Sequence, residues 1–206
     1  MTKQLSFSAL VCALVFGLIA LRPISVAAQA AGPLTLTSAK VSLSGTSNIH
    51  DFTASTTDAR VTRLALAAGV GGPGLIGEVL NAGAIEGFEI AINAASLSSP
   101  KEGLDKNMHK ALKVSEFKDI TFRLLRIETA PALRAVGVLK VAGVEREIAF
   151  DLKTASAATT LTITGEVRFL MTDFGITPPK AMLGMLKTDP KITVTFETVF
   201  SVATTL

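Results

Sequence analysis

Residues 161–171 read Leu161-Thr162-Ile163-Thr164-Gly165-Glu166-Val167-Arg168-Phe169-Leu170-Met171. Leu161, Ile163, Val167, Phe169 and Met171 share one parity, and Gly165 completes the series. Thr162, Thr164, Glu166 and Arg168 hold the other, with only Leu170 departing from it. A period of two means a pleated strand with one apolar face and one wet face. The stretch is long for a strand. A long, one-faced strand needs a large apolar surface opposite it, and further segments of the same kind supply one. The chain therefore reads as one curved antiparallel sheet closing around an apolar interior.

Toward the C terminus, residues 172–179 leave the sheet, because Pro178 and Pro179 cannot donate to a ladder. Met182, Leu183, Met185 and Leu186 then make an apolar, adaptable loop beside Lys180 and Lys187. Ile192, Val194, Phe196 and Phe200 form the last strand, with Lys191, Thr193, Thr195 and Glu197 facing away. Toward the N terminus, Ile148, Phe150 and Leu152 partner a strand at residues 133–141 across a tight turn at residues 141–145. Ile120, Phe122 and Leu124 precede it, and a phase slip at Leu124-Leu125 predicts a bulge. Phe88, Ile90 and Ile92 alternate with polar or small neighbours as a further strand.

Ser98-Ser99-Pro100 opens the one segment with helical spacing. Ser99 fits an N-cap, Pro100 the first helical position and Glu102 the third. Leu104, Met108, Ala111 and Leu112 fall on one face, which predicts packing across an open end of the sheet. Residues 67–87 are rich in Gly and Ala, including Gly71-Gly72-Pro73-Gly74, and predict a flexible surface connection. They lack the Lys that a phosphate-binding loop requires after its last Gly. Residues 34–48 alternate loosely, bend at Ser47-Asn48 and re-enter a strand that Phe52, Ala54 and residues 61–66 continue. About eight strands result, with short antiparallel connections, no internal repeat and no second domain.

Composition narrows the function classes. Hydrophobic residues are 49% of the 206, enough for a real core, and every aromatic is Phe. Nucleic-acid and sugar sites usually offer stacking surfaces richer than this. The formal net charge of +3 falls to +1 once Lys3 and Arg22 of the first thirty residues are set aside. No polybasic run exists, so no nucleic-acid footprint is expected. Residues 1–30 read as a signal peptide: Lys3 first, then an apolar run, then Ala28-Gln29-Ala30 as a small-x-small cleavage site. Retention of that run as a membrane anchor is the alternative. The single cysteine, Cys12, lies inside the run, so a chain of residues 31–206 has no disulfide and no thiol chemistry. The expected address is the periplasm or the exterior.

The motifs, taken in order, are familiar. Residues 45–52 (Gly-Thr-Ser-Asn-Ile-His-Asp-Phe), residues 104–113 (Leu-Asp-Lys-Asn-Met-His-Lys-Ala-Leu-Lys) and Ile120-Thr121-Phe122 resemble the YceI-like family. So do residues 137–144 (Gly-Val-Leu-Lys-Val-Ala-Gly-Val) and residues 171–179 (Met-Thr-Asp-Phe-Gly-Ile-Thr-Pro-Pro). The resemblance covers most of residues 31–206. It implies an all-β, eight-stranded antiparallel, lipocalin-like β-barrel with one short helix near the mouth. It also implies a secreted protein, and several such proteins hold a long isoprenoid chain inside the barrel.

The residues carry two readings of the interior. Phe88, Ile90, Ile92, Phe122, Phe150, Ile163, Val167, Phe169, Val194 and Phe196 face inward. An eight-stranded barrel either fills with such side chains or holds one slender ligand among them. In the ligand reading the protein is a non-catalytic carrier of a polyisoprenoid or isoprenoid quinone. Lys106, Lys110, Lys113 and Lys180 would then meet the head group at the mouth. In the filled reading it is a secreted structural or stress-related barrel acting through its outer surface. Catalysis would have to draw on His50, Asp51, His109 and Asp173, whose spacing matches no catalytic pattern. His50-Asp51 reads as a polar corner or as part of a cluster, and His109 as an exposed helix residue or a catalytic one. No enzyme activity, metal or cofactor is expected. The oligomeric state, a homodimer among the options, is open.

Overall fold

Ten strands are arranged in one antiparallel sheet in the computed structural model, which describes residues 33–181 and 185–202. In chain order they are β1 (Leu34–Ser47), β2 (Asp51–Thr56), β3 (Ala59–Leu66), β4 (Ile85–Asn93) and β5 (Asp119–Glu128). Then come β6 (Arg134–Val141), β7 (Val144–Ser156), β8 (Thr160–Leu170), β9 (Lys180–Ala181) and β10 (Leu186–Val202). The spatial order is β2-β1-β10-β8-β7-β6-β5-β4-β3, with the two-residue β9 attached to β10. The signal-peptide reading of residues 1–30 lies outside the described residues.

The expected eight strands become ten for two reasons. The segment from Phe52 onward breaks at Thr57-Asp58 into β2 and β3, and a short β9 follows the prolines. β2 and β3 are consecutive in the chain yet stand at opposite ends of the sheet order. The sheet thus curls into a half-barrel whose two end strands are one stretch of chain. Polar bonds stitch this seam. Ser55 and Ser98 exchange backbone hydrogen bonds of 2.8 and 3.0 Å, and the Asn93 amide donates to the Asp58 carboxylate at 2.8 Å. The hydroxyls of Thr56 and Ser96 lie 2.6 Å apart.

Local sequence explains the individual ladders. β6 and β7 pair from Val141↔Val144 through Arg134↔Asp151. Their link is Ala142-Gly143 with φ of 48° and 83°, the two positive angles of a tight hairpin turn. The register between β5 and β6 shifts between Leu124 and Arg126, the bulge expected from the phase slip. β7 changes partner midway: residues up to Asp151 pair with β6, and Leu152 to Ser156 pair with β8. Curvature at that point needs a strand without a side chain. Gly165 faces its partner Phe196, whose ring would stand 2.5 Å from any Cβ placed there. A phenyl laid over a cross-strand glycine restores apolar contact while letting the sheet bend.

The Gly-rich segment departs from its expectation. Residues 67–84 are more than a surface connection. They contain a 3₁₀ turn (Gly72–Gly74) and a helix α1 (Leu75–Glu78). Leu75 and Val79 are 1% and 2% exposed, packed with Leu34, Leu161 and Phe200 at one end of the sheet. Two large apolar residues four apart made that plug, and a Gly-rich context hid them. The helix at the other end, α2 (Glu102–Ala111), starts later than expected. Its N-cap is Lys101 and Ser99 makes no cap bond to it. The Ser99 hydroxyl instead accepts from the Lys101 N–H and donates to the Lys101 carbonyl.

Candidate functional site

The interior of the curled sheet is not packed solid. It holds a cavity of about 580 Å³, within the range of small-molecule pockets. Strand alternation puts the lining there: residues two apart on each ribbon point the same way. All ten inward positions expected from the sequence, from Phe88 to Phe196, line this one cavity. Of the ten, only Phe150 and Val167 are buried; the other eight are half-buried although they point inward. Inward residues keep accessible surface only where space is left beside them. The rings Phe122, Phe150 and Phe196 form a chain with centroids 5.4 and 5.6 Å apart, the first pair tilted and the second edge-on.

The two ends of the cavity differ. At one end, Val79 and Leu80 of the α1 segment line it beside Leu34 and Phe200. At the other, α2 lies across the opening and contributes Leu104, Met108, Ala111 and Leu112. That is the packing its apolar face predicted. The polar lining, Thr198 of β10 apart, also gathers here: Ser47 and His50 from the corner after β1, Lys101 and Asn107 from α2, and Thr188 from β10. His50, Lys101 and Asn107 are exposed as well as lining, which locates the mouth between α2 and that corner.

The lysines expected at the head group are distributed otherwise. Lys106, Lys110 and Lys113 are exposed and do not line the cavity, while Lys101 does. Helical spacing accounts for this. Lys101 stands three residues before Leu104 and shares the apolar face, whereas the other three fall on the far side. That signal was available in the sequence. Lys180 lies in β9 next to the mouth segment, and its side chain is outside the described residues.

The corner itself is built by Ser47. Its hydroxyl donates to the His50 carbonyl at 2.8 Å and accepts from the N–H groups of Ile49 and His50. His50 Nδ1 lies 3.2 Å from the Asp51 carbonyl oxygen. Asn48 clamps the corner to β10: its amide donates to the Met185 carbonyl and accepts from the Lys187 N–H, both at 2.8 Å. His109 is not on the wet side, as expected, but half-buried, with Nε2 2.8 Å from the Leu97 carbonyl. Asp105 accepts from the Ser99 N–H at 2.8 Å. Hydrogen bonding from Ser99 holds its carboxyl below the usual range, with a smaller contribution from nearby His109. His109 and Asp105 therefore both tie α2 down. Among the described residues, no three His, Cys, Asp or Glu side chains are grouped to hold a metal ion.

A curled antiparallel sheet around an apolar cavity, open at one polar end, defines the lipocalin-like class of small β barrels. A model of the YceI-like domain matches residues 35–200, and the chain belongs to that family. Solved structures share the fold at low sequence identity. BcnA of Burkholderia cenocepacia is 13% identical with a TM-score of 0.61, over 81% of this chain and 96% of that one. A polyisoprenoid-binding domain from Saccharophagus degradans, implicated in plant cell wall breakdown, is 11% identical with a TM-score of 0.60, over 83% and 99%. The Campylobacter jejuni YceI protein is 14% identical with a TM-score of 0.54, over 78% and 85%. No curated protein matches the chain in sequence.

Proposed function

We propose that this protein is a secreted, non-catalytic carrier of an isoprenoid-type lipid, held with its chain inside the barrel and its polar head at the mouth. The observation that carries the reading is the cavity of about 580 Å³, apolar along most of its length and most polar at its open end. Such a gradient suits an amphiphile. Each Å² of hydrocarbon removed from water contributes about 25 cal/mol. A charged or carbonyl-bearing head stays where Lys101, Asn107 and His50 can hydrogen-bond it. The Saccharophagus degradans domain, described as polyisoprenoid-binding, supports the ligand class through the shared fold. The apolar run and Ala28-Gln29-Ala30 support export.

Native mass spectrometry and organic extraction of protein purified together with host membranes test this reading. The expected result is one co-purifying isoprenoid lipid per chain, or uptake of an isoprenoid quinone offered in detergent. Recovery of empty protein that takes up neither a quinone nor a polyprenyl phosphate would end it.

A further inference from the structure

Large apolar side chains on the outer surface are not scattered evenly. Among the described residues four are exposed: Ile49 at 58%, Met185 at 67%, Leu170 at 37% and Leu125 at 44%. Three of the four stand at the mouth end. Ile49 belongs to the corner that lines the mouth through Ser47 and His50. Met185 is tied to that corner by the Asn48 amide. Leu170 ends β8 opposite Lys191, at the same end of the sheet. Leu125 alone lies elsewhere, at the bulge in mid-wall. Exposed single apolar residues are ordinary, but a group at the opening of an apolar cavity is not.

The charge around them has a sign. Lys101 lines the mouth, and Lys187 follows Met185. Neither makes an ion pair among the described residues. Lys106, Lys110 and Lys113 stand exposed on or just after α2. Asp51, Asp173, Asp189 and Glu116 are exposed acids at this end, and Glu145 is paired with Lys140. The lysines therefore outnumber the acids at this rim. Apolar tips ringed by lysine match a bilayer of negative surface charge, where the tips enter the headgroup layer and the amines meet phosphate.

We propose that this rim seats the protein on an anionic lipid bilayer, with Ile49 and Met185 inserted and the mouth turned to the membrane. The proposal rests on the lipid-carrier reading and adds the partner from which the cavity loads. A lipid whose chain is in a bilayer then passes into the cavity without crossing water.

Flotation of the purified protein with vesicles of phosphatidylglycerol and phosphatidylethanolamine, against phosphatidylcholine vesicles, tests it. The protein should float with the anionic vesicles and much less with the neutral ones. Ile49→Ser with Met185→Ser should lower that binding at least tenfold, and Leu125→Ser should leave it unchanged. Neither residue of the double variant lines the cavity, so its uptake of an isoprenoid quinone from detergent should match that of the unaltered protein. Binding to neutral vesicles as strong as to anionic ones, or a double variant that floats like the parent, would overturn the proposal. Quinone uptake without any vesicle binding sinks the docking rim alone. Vesicle binding that the double variant loses, with no quinone uptake by any protein, sinks the carrier reading and leaves the rim standing.

Discussion

The two ends of this barrel are both crossed by a helix, yet they are built by opposite rules. At the α1 end, Leu75 and Val79 drive into a cluster of Leu34, Leu161 and Phe200 and are almost wholly buried. At the α2 end, the helix presents half-buried Leu104 and Met108 to open space and is tied down by polar bonds at its edges. One helix is a plug and the other is a lid. The plug is held by area removed from water, which is strong and has no direction. The lid is held by Ala111 and Leu112 against the cluster of Val141, Met171 and Ile192, and by a few hydrogen bonds, each contributing about 1 kcal/mol.

The comparison breaks most sharply at Leu75. Leu75→Ala should destabilise the fold by about 2–5 kcal/mol, read from urea unfolding, because the void it leaves cannot collapse. A cost near zero would mean that the α1 end is not a plug. Between the ends lies the bend at Gly165. Gly165→Ala should cost about 1–3 kcal/mol by driving a methyl into the Phe196 ring. Adding Phe196→Leu should recover part of that loss, and no recovery would show that the close approach is not what limits this position.

At the mouth the effects shrink. Asn48→Ala removes two bonds from an exposed clamp and should cost about 1 kcal/mol in unfolding. Its larger consequence should be faster amide exchange at Lys187 than at β8. Equal exchange in both would show that the Asn48 clamp is not what holds this corner to β10. The smallest effect is one of pH. Asp105 has its folded-state carboxyl lowered, so its tie to Ser99 stabilises the fold above the ordinary carboxylate range. That contribution is lost as pH falls through the lowered value. In acid, α2 amides should therefore exchange before those of β6, and Asp105→Asn should remove the pH dependence of that difference.

Much of this was legible beforehand, and what was missed follows a pattern. The inward parity of β8 and β10, the hairpin at Ala142-Gly143 and the bulge at Leu124 all depend on neighbours one to four residues away. The apolar face of α2 does too. Lys101 at the mouth could have been found by turning the same helical wheel one step further. Leu75 and Val79 could not, because four apolar residues in a Gly-rich stretch make no period long enough to read. Their burial depends on Leu161 and Phe200, far along the chain.

The sequence by itself determined which side chain of each strand faces in, where the chain turns and that a helix crosses one end. Those are local consequences of pleat geometry, turn angles and helical spacing. Tertiary structure alone decided that β2 and β3 stand at opposite ends of one sheet, that a Gly-rich segment is a plug, and that the interior keeps about 580 Å³. Parity fixes direction but not distance. The radius at which a sheet closes is set by tilt and stagger summed over all its strands, and no single strand encodes that sum.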